Sequence, residues 1–269
     1  MKDYSVFDNK CLTTVYPLDN VLLSDKGIGY SYVDNEPKKY NLLSQQYIFR
    51  RNTQIKDKRE DDIYEYDLIE FKKKSINKEF IYTGIVVLRR GRFVLKDICY
   101  AGQLLYDGEY EITLEELLSN YTEVKVIDNS LKLKECQKNI RNKFYFKVID
   151  KSTGEIINGC HIDNNCNVYN IVDITKKETY SLLTNSKILL STDTYDSDGN
   201  IIFYKDEISF NYKNNNYIGT IEYNKGLYYI DNIIDDDMNE VDFKIPLCDK
   251  YTDKELTNIS LIKKAKSEP

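Results

Sequence analysis

The chain has 269 residues, 41% of them hydrophobic, a mean hydropathy of −0.55 and a net charge of −6. That is enough material for two modest cores, and no stretch approaches the ~20 apolar residues of a membrane span. The opening Met-Lys-Asp-Tyr-Ser-Val-Phe-Asp lacks an apolar signal core, which predicts a cytoplasmic protein, and the acidic balance argues against broad phosphate-backbone binding.

The first predicted element is a strand, Tyr4 to Asp8, and it returns as Phe146 to Asp150 at an offset of 142. Further on, Leu42-Leu43-Ser44 with Ile48 matches Leu182-Leu183-Thr184 with Ile188 at an offset of 140. The clearest repetition follows. Thr53 to Phe71 and Thr192 to Phe210 align at 139, with Thr, Asp, Ile, Asp, Ile and Phe in register at 53/192, 57/196, 63/202, 67/206, 69/208 and 71/210. At 135, Gly84 meets Gly219, Gly91 meets Gly226, Phe93 meets Tyr228 and Leu95 meets Ile230. Near the end of each copy, Ile127-Asp128-Asn129 is matched to Leu256-Thr257-Asn258. Drifting offsets are what loop insertions produce, so the chain reads as two copies of one domain, residues 1–140 and 141–269. The polar run Leu131 to Asn142 has no Pro or Gly and predicts a short helical connector.

Each copy reads as a β-meander. Leu68 to Phe71 and Glu207 to Phe210 alternate as strands, Ile81 to Arg89 and Tyr217 to Tyr223 follow, and Arg92 to Lys96 and Leu227 to Ile230 return. Gly91 and Gly226 mark tight hairpins. Asp198-Gly199-Asn200 marks another; its counterpart Arg59-Glu60-Asp61 has lost the Gly and is expected to turn less tightly. Thr113 with Glu116 has capping-box spacing and predicts a helix from Thr113 to Ser119; Thr252 with Glu255 suggests a weaker one. Small barrels or sandwiches fit such short strands.

These residues resemble the YopX family of phage and prophage proteins. The family opens with an aromatic strand ending in Trp-Asp, matched by Tyr4 to Asp8 and Phe146 to Asp150. Its Thr-Gly-Leu-x-Asp-x-x-Gly-x-x-Ile-Tyr-x-Gly-Asp-x-Val signature is matched by Thr53, Asp57, Ile63, Tyr64, Asp67 and Ile69, and again by Thr192, Asp196, Gly199, Ile202, Phe203, Asp206 and Ile208. The chain departs from it where the Gly before the second signature Asp is Tyr66 or Lys205, and where the first Trp is Phe7 or Ile149. The resemblance implies a mainly β fold of two tandem SH3-like small barrels with a few short helices. It implies a phage or prophage origin but no established activity.

Chemistry is sparse in the sequence. The single histidine lies in Cys160-His161-Ile162-Asp163-Asn164-Asn165-Cys166, which offers zinc ligands without paired Cys-x₂-Cys spacing or an evident fourth ligand. The six cysteines do not repeat between copies, so reduced thiols are expected. Asp57/Asp196 and Asp67/Asp206 fall at repeat positions where Asp caps turn N–H groups, and a structural role is expected over acid–base or metal chemistry. No phosphate loop or nucleophile elbow is present, so no enzyme, cofactor or metal is expected.

Charge divides the copies. Residues 1–139 carry 22 basic and 23 acidic side chains, net −1; the remainder carries 16 and 21, net −5. Copy one holds Arg50-Arg51, Lys72-Lys73-Lys74 and Arg89-Arg90 with Arg92, expected to form one basic patch. Copy two holds Tyr228, Tyr229, Asp235, Asp236 and Asp237, an acidic tyrosine-bearing face. The expectation is a non-enzymatic binding protein that engages a host or anti-phage defence protein through these residues, an anti-CRISPR-like role included. The alternative is a nucleic-acid-binding accessory factor using the basic patch.

Overall fold

The computed structural model describes the chain outside residues 1–3, 9–12, 15–20, 26–27, 34–35, 42–46, 76–77, 101–102, 105–110, 133–143, 177–178, 225, 249–254 and 263–269. The expected connector over 131–142 falls largely within these stretches, outside the described residues, as does the start of the expected helix at Thr252. In chain order the strands are β1 (Tyr4–Asp8), β2 (Thr13–Thr14), β3 (Val21–Ser24), β4 (Ile28–Val33), β5 (Glu36–Asn41), β6 (Tyr47–Lys56), β7 (Asp62–Tyr64), β8 (Asp67–Ser75), β9 (Lys78–Arg89), β10 (Arg92–Tyr100), β11 (Gln103–Leu104), β12 (Ile112–Thr113) and β13 (Thr122–Asn129). The helix α1 (Leu114–Asn120) precedes β13 and is capped by Thr113, whose hydroxyl accepts from Glu116 N at 3.0 Å. There follow β14 (Phe146–Asp150), β15 (Cys160–Asp163), β16 (Val168–Ile171), β17 (Tyr180–Leu182), β18 (Ser186–Tyr195), β19 (Ile201–Phe203), β20 (Glu207–Tyr212), β21 (Asn215–Asn224), β22 (Leu227–Asp235), β23 (Glu240–Val241), β24 (Ile245–Pro246) and β25 (Leu256–Leu261). The protein is mainly β. The sheets run in open strand order, and no barrel closes among the described residues.

Packing divides the chain into two compact units that cut across the repeat. One is Met1–Val87 with Val94–Leu190, and the other is Leu88–Phe93 with Ser191–Pro269. In the first unit the front strands of both copies interleave. The meanders β3–β4–β5 and β15–β16–β17 join edge to edge into one six-stranded sheet through antiparallel pairing of β3 with β15. Tyr4, Val6, Val21, Leu23 and Phe49 from copy one pack in a single core with Phe144, Phe146, Val148, Ile162, Ile188 and Leu190 from copy two. Burying each such aliphatic or aromatic side chain stabilises by roughly 1.5–3 kcal/mol, so the fronts of the copies are mutually dependent. The first unit also holds the copy-one sheet in the order β13-β8-β9-β10, with β12 on β10; the second unit holds the copy-two equivalent, β25-β20-β21-β22, with β24 on β22.

Backbone geometry repeats more faithfully than side chains do. Left-handed residues fall at equivalent places: Gln54 and Asp193, Glu60 and Gly199, Tyr66 and Lys205, Gly91 and Gly226, Asp97 and Asn232, Glu123 and Asn258. Glu60 takes φ +65° where Gly199 takes +84°, so the copy-one turn is as tight as its Gly-bearing counterpart, against expectation. A tolerable αL strain replaces the missing glycine.

Two sequence registers are corrected. Thr122 pairs with Lys72 as Thr257 pairs with Asn211, and Val126 pairs with Ile69 as Leu261 pairs with Ile208, which fixes the last strand at an offset of 135. The Ile127-Asp128-Asn129 match is therefore six residues out. At the front, Val6 faces Phe49 as Val148 faces Ile188, an offset of 139 rather than 140. A one-residue slip of this kind exchanges the two faces of a strand.

Candidate functional site

The six residues that repeat in register are all occupied by the fold. Thr53 and Thr192 are fully buried; each hydroxyl donates to a carbonyl across the sheet, Ile63 O at 2.8 Å and Ile202 O at 3.0 Å, and accepts from Ile55 N or Thr194 N at 3.2 Å. That pair of bonds closes the bulge at left-handed Gln54 and Asp193. Asp57 accepts from Arg59 N at 2.7 Å, Asp61 N at 3.0 Å and Val126 N at 3.0 Å. Asp196 accepts likewise from Asp198 N at 2.9 Å, Asn200 N at 2.7 Å and Leu261 N at 3.5 Å. Burial pushes both carboxyls up, and these donors outweigh it and hold them below the usual carboxylate value. Asp67 and Asp206 accept from Tyr64 N and Phe203 N at 2.7 and 2.9 Å. Ile63, Ile202, Ile69, Ile208, Phe71 and Phe210 are core. The carboxylates that repeat are spent on turns, as their spacing predicts.

The same turn recurs outside the aligned repeat. Asp163 accepts from Asn165 N and Asn167 N at 2.8 and 2.9 Å, and Asp235 accepts from Asp237 N and Asn239 N at 3.0 and 2.8 Å. Asp235, first of the acidic triplet, is thus a turn former. Asp236 accepts from Asn216 Nδ2 at 3.2 Å, and Asp237 is exposed.

Two arginines of the expected basic patch are interior. Arg50 and Arg51 are 5% and 4% exposed and lie inside the first unit: Arg50 donates to Asp67 at 2.7 Å and Arg51 to Glu65 at 2.9 Å. Arg51 also lies 5.1 Å over the Phe144 ring. Strand β6 is covered on both faces, so alternation leaves neither guanidinium in water. Burial pushes the Asp67 carboxyl above its usual value in spite of Arg50. At an offset of 139 the two arginines become Leu189 and Leu190, Glu65 becomes Tyr204, and Asp67 stays an aspartate, Asp206. Lys72 is bound by Glu79 at 3.1 Å and Glu123 at 2.6 Å. Lys73 is exposed with its ammonium 6.0 Å over Tyr121, and the side chain of Lys74 lies outside the described residues. Lys72 to Lys74 pair with Ile81 to Glu79 near the start of β9, whereas Arg89 is its last residue. Arg90 is exposed at the tip, and Arg89 and Arg92 are half-buried.

Tyr228 is corrected too: at 5% exposure it packs on Tyr223, ring centroids 4.6 Å apart. Its neighbour Tyr229 points the other way, into a network the sequence did not reveal. Tyr229 pairs with Glu222 across β21–β22, and Thr220 pairs with Asp231 on the same face. Lys205 donates to Glu222. Lys244 donates to Asp231 at 2.8 Å and lies 5.0 Å over the Tyr229 ring, while the Lys205 ammonium lies 5.2 Å over Tyr204. Asp231 holds Lys244 above its usual value; Asp231, pushed up by partial burial, is drawn below its own by Lys244. The two lysine side chains are 37% and 60% exposed, so this is a solvent-facing surface. Two of the aligned copy-one positions are covered: Val94 at Tyr229 is 0% exposed and Glu65 at Tyr204 is 4%. The network draws on four segments, and only strand alternation on β21 and β22 could have signalled it.

The remaining candidate is the cysteine–histidine run. His161 lies in β15 opposite Ser24 and Tyr169. Burial pushes the Cys160 thiol up to about 11, which makes it an unreactive thiol at neutral pH. Cys166 sits at φ +66° in the Asp163 turn, its thiol 3.8 Å from Tyr4 O. Cys99, Cys160, Cys166 and Cys248 carry reduced thiols. Among the described residues no group of three or more His, Cys, Asp or Glu side chains converges to hold a metal ion. Also among them, no helix is long and apolar enough to cross a membrane. The chain matches no protein-family model, no curated protein and no solved structure.

Proposed function

We propose that the protein is a non-enzymatic recognition module that binds another protein through the copy-two face of Tyr204, Lys205, Glu222, Tyr229, Asp231 and Lys244. The observation that carries this is local divergence on a repeated scaffold. The positions of Tyr204 and Tyr229 are sealed in copy one, by Glu65 and Val94, and half-open in copy two, where the face bears two tyrosines and four charges of both signs. Rigid tyrosines beside alternating charges suit a polar, shape-specific protein contact. They suit a phosphate backbone poorly, because Glu222 and Asp231 neutralise the lysines. The YopX resemblance, with the SH3-like ancestry it implies for each meander, belongs to this proposal. So do a phage or prophage origin, residence in the cytoplasm of an infected or lysogenic cell, and a host or defence protein as partner. The fold's use of the signature residues as turn and core elements is what a family signature without catalytic content would do.

The test is affinity capture from host lysate with three baits: the parent, Tyr229→Ala with Lys244→Glu, and the control Lys58→Glu. A partner retained by the parent and the control but lost by the double variant is expected. Equal capture by all three rejects the face. The nucleic-acid reading keeps one favourable observation, Arg90 exposed on a tip that also carries Arg89 and Arg92. A mobility shift that weakens steeply with salt and is lost in Arg90→Glu would select it.

A further inference from the structure

We infer that each copy is the binding partner of the other, through two surfaces that are self-complementary, so that the chain is a fused form of a dimer whose natural occupant is a second copy of the same fold. The first surface is the β3 edge. The hairpins β3–β4 and β15–β16 share one register at an offset of 139, Val21 pairing with Ser31 as Cys160 pairs with Asn170; Leu23 pairs with Ile162, its own equivalent, Leu22 with Asp163, the equivalent of Ser24, and Ser24 with His161, the equivalent of Leu22. That exchange of partners about a central residue is the signature of an isologous contact. Two bonds extend it on one side, Asp25 N to Cys160 O at 3.0 Å and Gly159 N to Asp25 Oδ2 at 2.6 Å.

The second surface is the hairpin tip, inside the other compact unit. Phe93 N donates to Gly226 O at 2.7 Å, and Tyr228 N donates to Gly91 O at 2.7 Å. Phe93 is the equivalent of Tyr228 and Gly91 of Gly226, so these two bonds exchange under the repeat, and Arg92 faces its own equivalent Leu227. Both tip glycines are left-handed, at φ +78° and +84°, and a Cβ at Gly91 would lie 3.3 Å from Leu247 Cβ. Two independent contacts obeying the same exchange are not expected of domains merely strung on a linker. Side chains cross between copies as well, with Tyr4 Oη donating to Asp163 O at 2.5 Å. Both edges would otherwise expose unpaired backbone groups.

The inference makes the covalent link between the copies dispensable. A protease site inserted between residues 136 and 140 of the full chain tests it, with size exclusion before and after cutting. The cut parent is expected to elute as one species the size of the intact chain, with both fragments in equal amounts. A second variant, Leu23→Asp in the same background, is expected to stay one species uncut and to separate into fragments once cut. Separation of the cut parent overturns the inference. So does a cut Leu23→Asp protein that holds together through the same dilution series as the parent.

Discussion

Asp196→Ala isolates what a turn carboxylate contributes to this fold. Its oxygens accept from Asp198 N, Asn200 N, Asn200 Nδ2 and, at 3.5 Å, Leu261 N. Hydrogen bonds to a charged group contribute roughly 1.5–3 kcal/mol each, but Asp198 and Asn200 are exposed and their amides regain water when the carboxylate is removed. The expected loss is therefore about 2–3 kcal/mol, not the sum of four bonds. Asp235→Ala supplies the comparison. It deletes the same local acceptor geometry from a turn whose tip is exposed, and a distinctly smaller loss is expected. Asp57→Ala should equal or exceed Asp196→Ala, because its bond to the last strand, Val126 N, is shorter at 3.0 Å. Urea unfolding followed by tyrosine fluorescence measures all three, with 24 tyrosines and no tryptophan in the chain. Amide exchange at Asp198, Asn200 and Leu261 localises the effect. Equal losses for Asp235→Ala and Asp196→Ala would mean that the local turn accounts for everything and the bond to Leu261 N for nothing. The pH dependence has a definite sign. Asp57 and Asp196 have folded values below the ordinary carboxylate value, so their contribution is complete above about pH 4 and is lost as pH falls through the lowered folded values.

Arg51→Ala should cost about 3–5 kcal/mol by leaving Glu65 buried and unpaired. Arg51→Leu with Glu65→Tyr, which installs the copy-two residues Leu190 and Tyr204, should recover most of that loss; urea midpoints of the single and double variants decide. His161 is held below its usual value mainly by burial, with Asp25 opposing, so the unfolded chain takes up the proton first. Stability should fall as pH drops below about 6.5, and His161→Gln should flatten the curve between pH 5.5 and 7 in denaturant titrations. Gly219→Ala places a Cβ 2.6 Å from Ile230 Cγ2, whereas Gly84→Ala meets Leu95 Cβ at 3.3 Å. The first should lower stability by about 1–3 kcal/mol and the second by less, measured by thermal melts of both variants.

The repeat was visible in the sequence because turns and cores constrain residue type. Only a short polar acceptor caps the turns at Asp57 and Asp196, and only an apolar side chain fits at Ile69 and Ile208. The end of each copy was misaligned because Ile-x-Asn is a weak pattern. What fixes that strand is a bulge and one amide per copy, Val126 N and Leu261 N, reaching back to the turn carboxylate. How the copies combine was hidden for a different reason. Edge pairing is made by backbone atoms, so β3 and β15 carry no side-chain mark of their partnership.

Charge misled where partners were distant in sequence. Arg50 and Arg51 look like a surface run, yet their partners Asp67 and Glu65 lie 17 and 14 residues on and enter the interior with them. The comparison of copies held the missing signal at one of the two sites: Arg51 and Glu65 are both replaced, by Leu190 and Tyr204, which is how a buried ion pair behaves when it is lost as a unit. At the other, Arg50 becomes Leu189 while Asp206 remains, because the turn amide of Phe203 still requires its carboxylate. A residue that repeats alone is therefore answering to the backbone, and a pair that changes together is answering to its own interior contact. By that criterion Tyr204, Lys205, Tyr229 and Lys244 stand apart. Tyr204 and Tyr229 replace the buried Glu65 and Val94, Lys205 and Lys244 replace the half-buried Tyr66 and Glu111, and the turns they border need neither lysine.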